Sequence, residues 1–228
     1  MKVLVVENNA ELLKLLTHLL EKEGFSTSSA TSGNEAMTLY MQRKPEIICL
    51  DVMLDDSSGF DVCRKVRKTD KNVQIIMITS KSRQVDINAG MEAGADDYIV
   101  KPFDLAAITA HMRAVARLVI ARDQPAAVDE VLHFGPGLAI FPGRLCAERD
   151  GEAIDLSFRD VAFLKTFYAN KGKTLSTAVL KEHCWTASPE PEVATVDWHI
   201  KQLRRKVEID PANPALIKTD QGGGYRFG

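Results

Sequence analysis

Two hydrophobic periods alternate along the first 120 residues. Short apolar runs, VLVV at 3–6, IICL at 47–50, VQIIMI at 73–78 and DYIV at 97–100, are separated by stretches with apolar residues at helical spacing. Leu12, Leu13, Leu16, Leu19 and Leu20 form one such stripe, and Ile108, Met112, Val115 and Val119 another. Strands separated by helices predict right-handed crossovers and a parallel sheet covered on both faces. The serine-rich stretch 25–30 fits the edge of that sheet better than its centre.

The pattern breaks after Arg122, where RDQPAAVDE is polar, carries a proline and has no period. Beyond it, alternating runs at 131–134, 138–141, 144–147 and 153–156, separated by glycine-containing turns, predict a small antiparallel sheet. Ser157 stands three residues before Asp160, a capping-box spacing that opens a helix with Val161, Leu164 and Phe167 on one face. Further helices are predicted at 176–183 and 193–207, and the tail LIKTDQGGGYRF reads as a hairpin. The predicted architecture is a doubly wound five-stranded parallel α/β domain at 1–121, a linker at 122–130 and an α+β domain at 131–228.

Composition narrows the setting. With 45% hydrophobic and 26% charged residues the chain is typical of globular proteins. The opening apolar run ends at Glu7, too soon for a signal peptide, and no later run reaches membrane-spanning length, so a cytoplasmic location without membrane contact is expected. Cys49, Cys63, Cys146 and Cys184 lie singly, which suits a reducing compartment and supplies neither a zinc motif nor a disulfide framework. A net charge of −2 does not advertise nucleic acid, so any case for DNA rests on local patches.

Ligands of open parallel sheets gather at the carboxyl ends of the strands. Glu7 and Asn8, Asp51, Thr79 and Lys101 all fall at such ends. Singly, each is an ordinary turn former, local hydrogen-bonder or solvated charge. Together, carboxylates from two strands make a hard oxygen site for Mg²⁺, and an ammonium and a hydroxyl opposite can hold phosphoryl oxygens. Asp51 is then placed as a nucleophile for phosphoryl transfer.

GADDYIVKPF at 94–103, LDVML at 50–54 and Gly59 resemble the signatures of bacterial two-component receiver domains, the CheY-like fold, over residues 1 to about 120. The resemblance implies that Asp51 accepts the phosphoryl group from a partner histidine kinase and that Glu7, Asn8 and the backbone carbonyl of Met53 line the Mg²⁺ site with it. It also implies that Lys101 contacts the phosphoryl group, that Thr79 and Tyr98 form the switch, and that Lys101-Pro102 is cis. Three places depart from the family pattern. Asn8 replaces the second acid after the first strand, which removes a metal-facing charge and predicts weaker Mg²⁺ binding. Asp55, followed by Asp56, replaces the usual proline and adds carboxylates near Asp51. On the receiver face expected to form a homodimer, Ile87, Ala107 and His111 replace parts of an ion-pair network, while Asp96, Asp97 and Arg117 remain.

On the helix at 193–207, Val196, Ile200, Leu203 and Val207 fall within about 40° of one line at 100° per residue and form a buried stripe. Trp198, Lys201, Gln202 and Arg205 lie opposite, flanked by His199 and Arg204. A solvated amphipathic helix would look similar, but long donors beside an aromatic also suit the major groove. Residues 154–228 resemble the winged-helix domain of OmpR/PhoB-type response regulators, through LSF at 156–158, Trp185, TVD at 195–197, LRRK at 203–206 and GYRF at 224–227. The resemblance implies promoter DNA and RNA polymerase as partners, a recognition helix in the major groove and a wing in the minor groove. Trp185, Thr195, Trp198, His199, Lys201, Arg204 and Arg205 would then contact or position the DNA from the helical side, Gln202 would face bases, and Thr219, Gln221 and Tyr225 would contribute from the wing. Gln221 and Ala194 stand where the family commonly has arginine, which predicts modest affinity or an altered target.

Two other classes compete with transcription control. A haloacid-dehalogenase-type phosphatase needs a second Asp two residues past the nucleophile, where this chain has Met53, so an enzyme is not expected. An atypical receiver that works without phosphorylation, through constitutive dimer or protein contacts, is the alternative that Asn8 and Asp55 keep open.

Overall fold

The computed structural model describes residues 1–81, 83–123, 130–135, 137–184, 193–220 and 223–228, with the side chains of Gln84, Leu118, 121–123, Phe158 and 193–195 outside that description. Most of the expected linker, Trp185, Gln221 and the Thr195 side chain therefore lie outside the described residues. The chain divides into two compact units.

In the first unit, β1 (Lys2–Val6), β2 (Ser26–Ala30), β3 (Ile47–Leu50), β4 (Gln74–Thr79) and β5 (Asp97–Val100) form one parallel sheet in the order β2-β1-β3-β4-β5. The serine-rich strand is at the edge, as its composition predicts. Every residue of β3 and β4 is buried, the signature of a sheet covered on both faces. The covering helices are α1 (Ala10–Lys22), α2 (Gly33–Arg43), α3 (Gly59–Thr69), α4 (Gln84–Glu92) and α5 (Leu105–Asp123). Asn9, Ser32 and Ser58 accept backbone N–H groups at the starts of α1, α2 and α3, each such cap being worth about 1 kcal/mol. The last helix runs two residues past the boundary expected at 121.

The second unit opens with an antiparallel sheet of β6 (Leu132–His133), β7 (Leu138–Phe141), β8 (Cys146–Arg149) and β9 (Glu152–Asp155). The third of these strands starts at Cys146 rather than 144, because Pro142–Arg144 form a 3₁₀ turn and Leu145 adopts φ 50°. Three helices follow, α6 (Phe158–Ala169), α7 (Thr177–Cys184) and α8 (Val193–Val207), and the chain closes on the hairpin β11 (Ile217–Thr219) and β12 (Tyr225–Phe227). A two-residue strand, β10 (Thr174–Leu175), pairs with β12 and makes the wing a three-stranded sheet. The predicted capping box at Ser157 and Asp160 is present. Val196, Ile200, Leu203 and Val207 are fully buried in one core with Phe134, Phe163 and Phe167, so the helical stripe read from the sequence is the buried one.

Candidate functional site

Parallel strands bring their carboxyl ends to one edge of the sheet, and the residues that follow them meet there. Lys101, just past β5, donates from Nζ to Glu7 Oε2 at 2.5 Å and to Asp51 Oδ2 at 2.6 Å. Asp51 Oδ1 accepts the backbone N–H of Met53 at 2.9 Å, which draws the loop after β3 around the carboxylate. Both acids are almost fully buried. Burial pushes the Glu7 carboxyl above its ordinary range, against the downward pull of the Lys101 ammonium. The Lys101-Pro102 peptide is cis.

Thr79 ends β4, is fully buried, and accepts the Lys81 N–H at 3.3 Å. Tyr98 is turned inward, its hydroxyl donating to the Lys81 carbonyl at 2.8 Å, and burial raises its pKa. The segment after β4 is thus bonded to both residues expected to form a switch.

The departures from the family pattern resolve into contacts. Asn8 donates from Nδ2 to Asp55 Oδ1 at 3.1 Å. Asp56 turns the other way and accepts the N–H groups of Gly33 and Asn34 at the start of α2, which hold its carboxyl below the usual range. Two buried carboxyl groups thus share one ammonium and present oxygen donors. That set fits Mg²⁺, which takes one or two carboxylates and keeps several waters. Among the described residues no group of three His, Cys, Asp or Glu side chains is placed to hold a metal.

The expected dimer face is different in the structure. Asp97 and His111 are buried, with His111 Nε2 2.9 Å from Asp97 Oδ2, so they join β5 to α5 inside the unit and are not available to a second copy. Asp96 is engaged by Arg67 and by the Ile75 N–H, and Ile87 is buried. Ala107 is half-buried and Arg117 exposed.

In the second unit α8 presents Trp198, Lys201, Gln202 and Arg205 on one side, with Lys201 and Arg205 exposed and Trp198 and Gln202 half-buried. Three residues expected to meet DNA make contacts within the unit. His199, about 60° from Val196 around the helix, is covered because Phe163 of α6 reaches over it, 5.9 Å between ring centroids. Arg204 bends to the wing, donating to the Ile217 carbonyl at 2.9 Å and to Thr219 Oγ at 2.8 Å. Tyr225 is buried, and its hydroxyl donates to Asp197 at 2.6 Å. Thr219 remains exposed at the wing.

Sequence reasoning also passed over the groups that fix the end of α8. Glu208 accepts the N–H groups of Ala215, Leu216 and Ile217, and Lys206 donates to the buried Asp160 at 2.6 Å. Their signal in the sequence is faint, a lone acid after a basic run and a capping residue with a second partner. Lys218, exposed on β11, is a further cation of the wing.

A phosphoacceptor-type carboxylate site on a parallel sheet, in one chain with a winged-helix unit that exposes a basic helix face, defines a DNA-binding response regulator. Residues 3–113 match the response regulator receiver domain, and residues 151–227 match the C-terminal domain of transcriptional regulatory proteins. The chain is 36% identical over 225 residues to the sensory transduction protein RegX3 of Mycolicibacterium smegmatis, covering 99% of this chain and 98% of that protein. It is 36% identical over 227 residues to the DNA-binding response regulator MtrA of the same organism, covering 100% and 96%. The crystal structure of DrrB, an OmpR/PhoB homologue from Thermotoga maritima, is 30% identical, covers 99% of this chain and 98% of that one, and superposes with a TM-score of 0.50. The chain belongs to the OmpR/PhoB-type response regulators, whose receiver controls a DNA-binding transcription regulator.

Proposed function

We propose that Asp51 is the phosphoacceptor, and that its phosphorylation sets the DNA-binding output of the second unit. The observation that carries this reading is the placement of Lys101 Nζ between Glu7 and Asp51 at the strand ends, an ammonium where phosphoryl charge would develop. One Asp51 oxygen attacks the phosphorus of a phosphohistidine or acyl phosphate as the bond to the leaving group breaks. Lys101 moves its donor from the carboxylates to a phosphoryl oxygen. Glu7, Asp51 and the Met53 carbonyl would hold Mg²⁺, which when bound would neutralise the remaining phosphoryl charge. Thr79, deprived of its tie to Lys81, donates its hydroxyl to the new group, and Tyr98 follows.

In the second unit, Trp198, Lys201, Gln202 and Arg205 enter the major groove, with Gln202 against base edges, while Thr219 and Lys218 approach the phosphates beside the minor groove. Two copies associate through the receiver surface that bears Ala107 and Arg117, and RNA polymerase is the partner at the promoter. Incubation with acetyl phosphate and Mg²⁺, followed by intact mass, tests the first step. A phosphoryl adduct on wild type and none on Asp51→Asn is expected, and an adduct of equal yield on both would overturn the assignment.

A further inference from the structure

Asn8 and Asp55 each depart from the family pattern, and they touch. Asn8 follows Glu7 at the end of β1, Asp55 stands in the loop between β3 and α3, and Nδ2 of one lies 3.1 Å from Oδ1 of the other. We propose that Asp55 orients the Asn8 amide so that its oxygen faces the bound cation, and that the two together replace the acid missing at position 8. The inference rests on the reading of Glu7 and Asp51 as the cation site.

A carboxylate has no hydrogen to donate, so an amide that meets it must turn its nitrogen towards it. The Asn8 oxygen is then the free end of the side chain, and an amide oxygen is a hard donor of the kind Mg²⁺ takes. A charge-assisted bond at the nitrogen also polarises the amide and makes that oxygen a better donor, as outer-shell carboxylates do for metal-bound imidazoles. No third His, Cys, Asp or Glu joins Glu7 and Asp51 in a metal-holding group among the described residues. Waters can complete the shell around these two carboxylates, and Asn8, next to Glu7 in the chain, is the neighbour that can add a side-chain oxygen.

The loop that carries Asp55 is fixed independently. Asp56 accepts from Gly33 and Asn34 at 2.8 and 3.0 Å, pinning the loop to the start of α2. The loop packs closely there, since a Cβ at Gly33 would lie 2.0 Å from Ser57 Oγ and the Ser57 side chain would have to turn away. The adjacent acids therefore have separate tasks: Asp56 anchors the loop, and Asp55 is held over Asn8. Asp55 is a positioning residue, acting on the cation through the amide.

Calorimetric titration of the full chain with Mg²⁺ tests this without reference to phosphorylation. Asp55→Ala is expected to weaken Mg²⁺ binding roughly tenfold, the lower end of what removing an outer-shell partner of a metal ligand costs. Asp55→Asn, which can still accept from Asn8 but has lost the charge, falls between. In an Asn8→Asp background the carboxylate at 8 binds the cation directly, and Asp55→Ala then has no effect or strengthens binding by removing repulsion. Equal weakening in both backgrounds would show that Asp55 acts without Asn8 and would overturn the proposal. So would an unchanged affinity for Asp55→Ala while Asp51→Asn abolishes binding, a result that leaves the cation site itself standing. If wild type takes up no Mg²⁺, both the proposal and the site reading beneath it fail. Asp55 is exposed, so melting of the metal-free variants should match wild type, which separates a metal effect from a folding defect.

Discussion

His199 and Lys201 are two positions apart on α8, the first 5% exposed and packed on Phe163, the second open to solvent. Substituting them should therefore give different signatures. Lys201→Ala is expected to reduce the slope of log affinity against log salt by about 0.9, because one phosphate contact releases about one counterion. His199→Ala is expected to lower unfolding free energy by about 2 kcal/mol, through lost packing, and to leave that slope unchanged. Anisotropy titrations at several salt concentrations, with denaturant unfolding of each variant, check both. In the proposed function Gln202 is the residue that reads bases. Arg205 donates to its Oε1 at 3.1 Å, which leaves the amide N–H groups for acceptors on base edges. Binding-site selection with Gln202→Ala should return an altered consensus, and an unchanged one would remove Gln202 from base reading.

At the scale of elements, what decides function is how helices are tied to their neighbours. Burial alone would raise the Asp160 pKa, but the Lys206 ammonium and the Ser157 groups more than offset it, and the carboxyl is held below its ordinary 3.8. A depressed folded-state value means that the stabilisation is complete above the unfolded value and is lost as pH falls through the folded one. The second unit should thus lose stability below about pH 4, and Asp160→Asn should flatten that acid limb in unfolding curves. Helix α4 is tied differently: Gly90 lies under the Tyr98 ring, where a Cβ would come within 2.9 Å of Cε2. Gly90→Ala is expected to cost about 1–3 kcal/mol by overpacking, and Tyr98→Leu in the same chain to recover part of it, as thermal melts would show. Such ties explain what the sequence leaves hidden. Strands β1, β3, β4 and β5 announce themselves by runs that are apolar on both faces, and α8 by its stripe. Two-residue β10 is too short to have a period, and the 3₁₀ turn at Pro142–Arg144 displaces the next strand without changing the pattern. Asp97 and His111 read as surface charges because only their contact with each other, between β5 and α5, makes them suitable for the interior. The internal bonds of Arg204 and Tyr225 are hidden because their partners, Ile217, Thr219 and Asp197, lie 13 to 28 residues away in the chain. The strand-end cluster was legible because topology alone gathers those residues, whereas the Asn8 to Asp55 contact depends on the path of a loop.

For the molecule as a whole, two compact units with separate cores imply that input and output can be separated experimentally. Exposed cations of α8 and the wing, Lys201, Arg205 and Lys218 among them, lie in the second unit. A fragment of residues 124–228 should therefore bind DNA with affinity that falls steeply as salt rises, and a fragment of residues 1–123 should not bind. Control by the receiver then requires the intact chain. Phosphorylation replaces the Asp51 carboxylate by an acyl phosphate with up to two negative charges, a net gain of about one, enough to reorganise a site in which Lys101, Thr79 and Lys81 are already hydrogen-bonded. In the intact chain, acetyl phosphate with Mg²⁺ should change promoter affinity for wild type and leave Asp51→Asn unaffected, while the 124–228 fragment ignores the phosphodonor altogether. Sedimentation under the same conditions shows whether the change accompanies association of two copies. A response that persists in Asp51→Asn would mean that the receiver signals without phosphorylation of this residue, and the alternative of constitutive protein contacts would take its place.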